Sequence, residues 1–505
     1  MTALCAAIER RARALLVLLL AAVASTALVL AHRRPLWNDE LFTYYISRLP
    51  GVEDMWSKLA TGVEQTPLSF YVVTRVSLDV LGEGGIAMRL PELLGFLLMT
   101  VCVFLFVERR SSPLYGLVAA VFPIATIAFR YAYEARAYGL VLGFSAAALL
   151  CWQVAAEGGR HRRLAALGTA VSLAAAVGSH YYAVLIVIPL LVGELARSVD
   201  RRRIDWLVLG SFGGALLPLL AFAPLIAEAS GYSTTFWARP RWNKAIGFYR
   251  DSLIDRPLAL LLAVFTGIGV FIAWRTWRSR RRDGLRLPPA HEVAALVTLI
   301  LLPFFGVALG KLVTDAFTAR YVLSAILGIT ILLALTAWWT DRGVPILGVT
   351  LLVVLTAFAG ARIVEGLYDA RDDADEQDQA LAFLQTHRRA GEPIVVAGPH
   401  DFFELSHRVA QEGGPHLIYL ADPAEALKHL DTDAVELGVT GMKDIAPLRV
   451  EPYRRFIASQ PDFVVYGQDR AYDWLTSALQ ARRVGTRVIA RNPANGEPLV
   501  AVGEP

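Results

Sequence analysis

The chain has 505 residues, of which 55% are hydrophobic and 19% charged, with a formal net charge of +4 and a mean hydropathy of +0.47. That is too apolar for a soluble protein of this length, and the excess is gathered in blocks long enough to cross a bilayer. The basic residues fall in short clusters between those blocks, where they orient membrane helices, so the positive charge does not point to nucleic acid. Cys5, Cys102 and Cys151 lie in the N-terminus or in apolar runs, and imply no disulfide or metal framework.

In chain order, the apolar blocks fall near 14–31, 90–107, 113–130, 137–155, 164–179, 181–196, 206–228, 258–277, 291–310, 321–339 and 344–361. The first is too long for a cleavable signal and reads as a retained helix. After it come Leu36-Trp37-Asn38-Asp39-Glu40, two adjacent carboxylates where the bilayer meets water. The run 67–81 carries Arg75 and Asp79 and is predicted to lie along the interface instead of crossing. With that choice, Arg10-Arg11-Arg13, Arg109-Arg110, Arg160-Arg162-Arg163, Arg201-Arg202-Arg203 and Arg278 with Arg280-Arg281-Arg282 all share one side. The positive-inside rule then predicts about eleven spans, a cytoplasmic N-terminus and an extracytoplasmic C-terminus.

Past residue 361 the apolar blocks stop. Asp369, Asp372, Asp373, Asp375, Glu376 and Asp378 mark 362–378 as an acidic linker. Beyond it, 379–505 alternates helix and strand patterns: a helix over 379–389, strands at 393–397, 416–420 and 462–466, a helix over 474–482 and a strand at 487–490. The fold class is therefore a polytopic α-helical membrane protein with a C-terminal extracytoplasmic α/β domain. Its domains are 1–361, which includes a first outer loop over 32–89, the linker, and 379–505.

The predicted outer corners hold the residues able to do chemistry. Tyr131 to Tyr138 brings Glu134 and Arg136, the corner at Ser179-His180-Tyr181-Tyr182 brings His180, and 311–321 brings Lys311, Asp315, Arg320 and Tyr321. Each has a plainer alternative: arginines snorkel to headgroups, a lone histidine is usually structural, and aromatics anchor at interfaces. Taken together they form a different picture. Guanidiniums suit bidentate grip on a phosphate leaving group, and a carboxylate suits proton removal from an attacking hydroxyl.

Four short motifs, in order across some 320 residues, resemble the GT-C superfamily of membrane glycosyltransferases that use polyprenyl-phosphate sugars. They are Leu36-Trp37-Asn38-Asp39-Glu40-Leu41-Phe42-Thr43-Tyr44; Gln65-Thr66-Pro67-Leu68-Ser69-Phe70-Tyr71 with Ala87-Met88-Arg89-Leu90-Pro91; Tyr133-Glu134-Ala135-Arg136-Ala137-Tyr138; and Arg320-Tyr321. The nearest branch groups protein O-mannosyltransferases, aminoarabinose transferases and rhizobial core transferases (the family 39-like glycosyltransferases). Thr66 and Ala137 stand where that family often has proline, and neither change removes a reactive group.

The resemblance implies that Asp39 activates the acceptor with Glu40 in support. It implies that Arg136 and Arg320 bind the lipid phosphate, that Arg89 and Glu134 organise the site, and that 67–81 is a juxtamembrane helix. Lys311 and Tyr321 join the donor-binding set, with His180, Gln65 and Tyr138 as support. No cofactor is required in this reading. A divalent metal is left open, because Asp39 and Glu40 alone supply too few oxygens for a dedicated site. The expected partners are a polyprenyl-phosphate sugar donor, membrane lipids, and an envelope glycan, lipid or protein acceptor. The expected location is the inner or plasma membrane, with the active site on the outer face. The competing class is a transporter or flippase of a lipid-linked precursor, and a third is a non-catalytic envelope scaffold. The clustering of polar residues at one face and the lack of a visible inverted repeat speak against transport.

Overall fold

The computed structural model describes residues 2–231, 235–253, 258–259, 263, 267, 288–341, 346–387, 393–467 and 472–503. The block 258–277, apart from isolated positions, and the cluster Arg278 with Arg280-Arg281-Arg282 lie outside them. The chain forms two compact units. One comprises Met1–Ala31, Ser77–Ala223 and Pro240–Leu367; the other comprises His32–Val76, Pro224–Arg239 and Tyr368–Pro505.

The first unit is helical. In chain order the helices run α1 (Thr2–Arg33), α2 (Asn38–Ser47), α3 (Val52–Leu59), α4 (Leu68–Leu81), α5 (Gly85–Glu108), α6 (Pro113–Val121), α7 (Tyr138–Glu157), α8 (Arg162–Ser179) and α9 (Val187–Arg201), with further helices named by their ranges. Of these, α2 and α3 belong to the second unit and α4 runs from the second into the first. Among the described residues, five helices are long and apolar enough to cross a membrane, or seven if each of two bent pairs is one span. The pairs bend by 62° after Ala221 and by 53° after Ile300. Pro224 and Pro303 stand just past those breaks, where the ring removes a backbone donor and disturbs the preceding turn. This is a multi-pass membrane protein.

Lipid is as apolar as leucine, so helix association here depends on close backbone packing. Gly95, Gly139 and Gly143 supply it between α5 and α7. A Cβ on Gly95 would lie 2.5 Å from the Gly139 carbonyl oxygen, and one on Gly143 2.3 Å from that of Gly95. The far end of α7 is closed by ion pairs. The Arg110 guanidinium contacts Glu292 and Glu157, at 2.6 Å for the latter. Arg197 spans Glu194 and Asp205, each at 2.6 Å. Charges this deep persist only when paired and hydrogen-bonded. At ~1.5 Å per residue, these networks stand about 30 Å along α7 from its first turn at Tyr138.

The second unit joins the first outer loop to the C-terminal α/β domain. Its sheet has the order β3-β2-β1-β4-β6-β5, built from Val450–Pro452, Leu417–Ala421, Ile394–Val396, Phe463–Tyr466, Pro498–Val502 and Thr486–Arg491 respectively. The strands β1, β2, β3 and β4 are parallel, and β6 runs antiparallel to β4 and β5. The short continuous apolar runs at 394–396, 417–420 and 463–466 are fully buried, as expected of strands covered on both faces. The sequence reading misses β3, β6 and the helix Pro399–Glu412. Only three residues long and partly exposed, β3 carries too little pattern to recognise.

The acidic stretch 362–378 is not a linker. It lies inside one continuous helix, Ile346–His387, and its carboxylates are used: Asp373 pairs with Arg34 at 3.0 Å, Asp378 with Arg408, and Glu376 accepts from Asn495 at 3.0 Å. The first outer loop, grouped by sequence with the helical half, folds mostly into the α/β unit. The run 67–81 is the helix α4, with Val73, Val76 and Val80 exposed on one face. Arg75 is anchored on the Leu49 and Pro50 carbonyls.

The α5–α7 contact generates a prediction. Gly139→Leu should abolish recovery of monodisperse protein in detergent, whereas Gly210→Ala, where an added Cβ meets nothing within 4 Å, should leave it unchanged. Size-exclusion profiles of the two variants check this.

Candidate active site

In the helical unit, the site grows from two corners and a late turn. A 3-10 turn over Ile127–Ala132 is capped by Thr126, whose hydroxyl accepts the Ala128 N–H at 3.2 Å. Tight turns follow, with the Arg136 N–H donating to the Glu134 carbonyl at 2.7 Å and that of Tyr138 to Arg136 at 2.6 Å. These bends put Glu134, Arg136 and Tyr138 together inside the protein. Glu134 accepts Arg130 Nε at 2.7 Å. The fully buried Glu92, which the sequence reading passes over, receives the Leu140 N–H at 2.9 Å and so caps the first turn of α7. Its one sequence signal is an acid just inside an apolar run.

His180 ends α8 and starts the next 3-10 turn. Its ring lies 5.3 Å from that of Tyr138, 4.9 Å from Tyr321 and 6.1 Å from Tyr182. Tyr182 and Tyr321 are 4.7 Å apart, and the Arg320 guanidinium lies over Tyr138 at 5.9 Å. Three segments far apart in sequence thus meet in one cluster of aromatic and cationic side chains. The His180 Nδ1 accepts the Tyr182 N–H at 3.3 Å, which assigns the proton of the neutral ring to Nε2. Burial, helped by the Arg136 and Arg320 cations, pushes the imidazole down to about 3. It is neutral at physiological pH and unsuited to act as an acid there. The buried Tyr138 and Tyr181 hydroxyls and Thr318 Oγ1 have no hydrogen-bond partner among the described residues.

Three donor-set residues behave differently. Arg89 is buried and donates to the Ala31 carbonyl at 2.9 Å, tying α5 to the end of α1. Lys311 is exposed on a π-helical turn, and nothing joins it to the His180 cluster. Gln65, in the other unit, is exposed and bonds locally to the Gly62 carbonyl at 3.3 Å.

In the α/β unit, Asp39 and Glu40 occupy the first turn of α2, where the free N–H groups and helix dipole favour negative charge. Their roles diverge. Glu40 is fully buried and its carboxylate reaches back to the Trp37 N–H at 3.4 Å, the helix-capping half of a capping box. Asp39 is only half-buried. Around it stand groups from the C-terminal helix Pro399–Glu412 that the sequence reading does not single out. Glu404 accepts the Asn38 N–H at 2.9 Å and Gln377 Nε2 at 2.9 Å. His400 lies within electrostatic reach of Asp39, and burial pushes its imidazole down. His407 bonds to the Tyr45 hydroxyl at 2.8 Å. Phe42 and Tyr45 pack on Phe403, with ring separations of 5.3 and 5.8 Å. Burial raises Glu404 to about 8, with Asp401 and Asp373 adding to the shift and the bonds from Asn38 and Gln377 opposing it. Among the described residues, no three His, Cys, Asp or Glu side chains gather as a metal-ligand set.

Residues 64–227 match the family model of dolichyl-phosphate-mannose-protein mannosyltransferases. The chain superposes on ArnT from Cupriavidus metallidurans, solved bound to undecaprenyl phosphate, with a TM-score of 0.56 at 15% identity, covering 96% of this chain and 97% of that one. The apo form of ArnT gives 0.55 at 14% identity over the same shares. The chain has the GT-C fold. No curated protein sequence matches it. The GT-C likeness covers both units, including the C-terminal domain that the four sequence motifs leave out.

Glu404 generates a stability prediction. A carboxyl held at about 8 when folded, against about 4.3 when unfolded, binds more protons folded than unfolded between those values. Its contribution is therefore full at low pH and lost as pH rises toward 8. Glu404→Gln should flatten the fall in thermal midpoint between pH 5 and 8 relative to the native chain, as read by nanoscale fluorimetry in detergent.

Proposed function

We propose that this GT-C protein transfers a sugar from a polyprenyl-phosphate-linked donor to a hydroxyl of an extracytoplasmic acceptor. The observation that carries the reading is the cluster of aromatic and cationic side chains in the helical unit. Two arginines, Arg136 and Arg320, flank a neutral histidine beside a buried Tyr138 hydroxyl with no partner among the described residues. Guanidinium groups beside a buried hydroxyl suit an anion with several acceptor oxygens. ArnT, solved with undecaprenyl phosphate, and the mannosyltransferase family model support a lipid phosphate as that anion.

The chemistry balances as an inverting displacement. The acceptor oxygen forms a bond to the anomeric carbon as the bond from that carbon to the phosphate oxygen breaks. The phosphate leaves with the electron pair, held by Arg136 and Arg320. The family resemblance assigns the acceptor proton to Asp39, and Glu40 holds the helix turn that carries it. Charge placed in advance at the leaving phosphate supplies about 3–4 kcal/mol per group, and general-base help about 10²–10⁴-fold. The positive clusters put the N-terminus in the cytoplasm and the α/β unit outside. The sugar and the acceptor class are for experiment to name.

Purified protein given a radiolabelled polyprenyl-phosphate sugar and an envelope extract should transfer label. Asp39→Asn should cut the rate by about 10²-fold or more with donor affinity kept, while Arg320→Ala should weaken both. Full transfer by Asp39→Asn would remove the base assignment. Translocation of lipid in vesicles without sugar transfer would replace this reading by transport. For topology, a cysteine at exposed Ser459 should react with an impermeant maleimide in intact cells or spheroplasts; labelling only after lysis would reverse the orientation.

A further inference from the structure

The α/β unit holds a clamp on the residue next to the proposed base. Glu404 projects from the helix Pro399–Glu412 with one oxygen accepting the Asn38 N–H and the other accepting Gln377 Nε2, each at 2.9 Å. The Asn38 N–H is among the donors at the start of α2 that no helical carbonyl can reach. The residue at the cap position, Trp37, offers only an indole N–H, a donor, and cannot accept a first-turn amide as a serine or aspartate would. Glu404 therefore supplies from another part of the chain what a serine or aspartate cap supplies locally.

We propose that Glu404 is a positioning residue for transfer: by holding the first N–H of α2 it fixes the direction in which Asp39 faces its acceptor. The proposal rests on Asp39 as the base. The surroundings favour a carboxyl that stays neutral in this role. Asp401 stands on the same helix, and Asp373 on the helix Ile346–His387, where Arg34 partly compensates it at 3.0 Å. The α2 side contributes Asp39 itself, within electrostatic reach of His400. A second full negative charge at Glu404 would sit among these acids. The neutral acid keeps an oxygen for Asn38 without adding a charge beside Asp401 and Asp373. Packing supports the clamp: Phe42 and Tyr45 lie against Phe403, and Tyr45 bonds His407 one turn on. Asn38, Phe42 and Tyr45 of α2 are thus all held by the helix that carries Glu404.

The test uses the full-length protein in detergent with a radiolabelled polyprenyl-phosphate sugar and an envelope-extract acceptor. Glu404→Ala should lower kcat at least tenfold with the donor KM within twofold, and should speed hydrogen exchange of the peptide covering residues 36–47. Glu404→Gln, which keeps an acceptor for Asn38 but cannot ionise, should restore at least a third of kcat and remove any fall in rate above pH 8. Gln377→Ala, the milder variant, should show smaller changes of the same sign. In an Asp39→Asn background, Glu404→Ala should add no further loss of rate. An alanine variant that is folded, exchanges at the native rate over 36–47 and keeps native kcat overturns the positioning role. So does a folded glutamine variant as impaired as alanine. If Glu404→Ala does not fold, native exchange over 36–47 and native kcat in Gln377→Ala overturn it too. Full activity in Asp39→Asn, with faster exchange in Glu404→Ala, would instead discard the base while leaving the clamp in place.

Discussion

The hydrogen bond from the Asn38 amide to Glu404 joins positions 366 apart in the chain, and the α/β unit is organised around it. A helix of ten residues after a membrane span has little stability of its own, since nucleation is costly and short helices are marginal in water. The start of α2 needs acceptors from outside, and its apolar face needs a partner. The C-terminal helix supplies both: Glu404 for the amide, Phe403 and His407 for Phe42 and Tyr45. The carboxyl is buried deeply enough to stay largely protonated at neutral pH, so the bond is held without an isolated buried charge.

The helical unit meets a different constraint. Backbone polar groups inside a bilayer must be satisfied within their own segments, so irregular turns carrying functional groups gather at helix ends. That is where Arg136, His180 and Arg320 are found, at the start of α7, the end of α8 and the turn before the helix Ala325–Asp341. The opposite end of α7 is stitched by Arg110, Glu292, Glu157, Arg197, Glu194 and Asp205. The two polar regions have different character. The stitched end is a closed set of opposite charges. The corner combines Arg136 and Arg320 with an aromatic wall and a buried hydroxyl, and the acids Glu134 and Glu92 stand beside them.

Much of this was legible in sequence. The long apolar blocks report bilayer thickness directly, and all described blocks are helical. Arg136, Tyr138, His180, Arg320 and Tyr321 were singled out as corner residues, and the structure gathers them. Others were not separable by pattern. Asp39 and Glu40 are neighbours of the same chemistry, yet Glu40 caps the helix and Asp39 stays half-exposed, a difference made by helix phase and by the Trp37 N–H that Glu40 accepts. The run of acids at 362–378 reads as a solvated linker because composition alone does not show that Arg34, Asn495 and Arg408 will return to it.

What the sequence determined by itself is the class of protein, the long apolar helices, and the buried strands β1, β2 and β4, because hydrophobic periodicity and run length are local quantities. What only the tertiary structure decided is which polar groups act together. Glu92 beneath the first turn of α7, and Glu404 and His400 around Asp39, come from segments whose local patterns are those of ordinary helices. Their roles arise from burial and from hydrogen bonds across hundreds of residues, and neither quantity is written in the spacing of any one stretch.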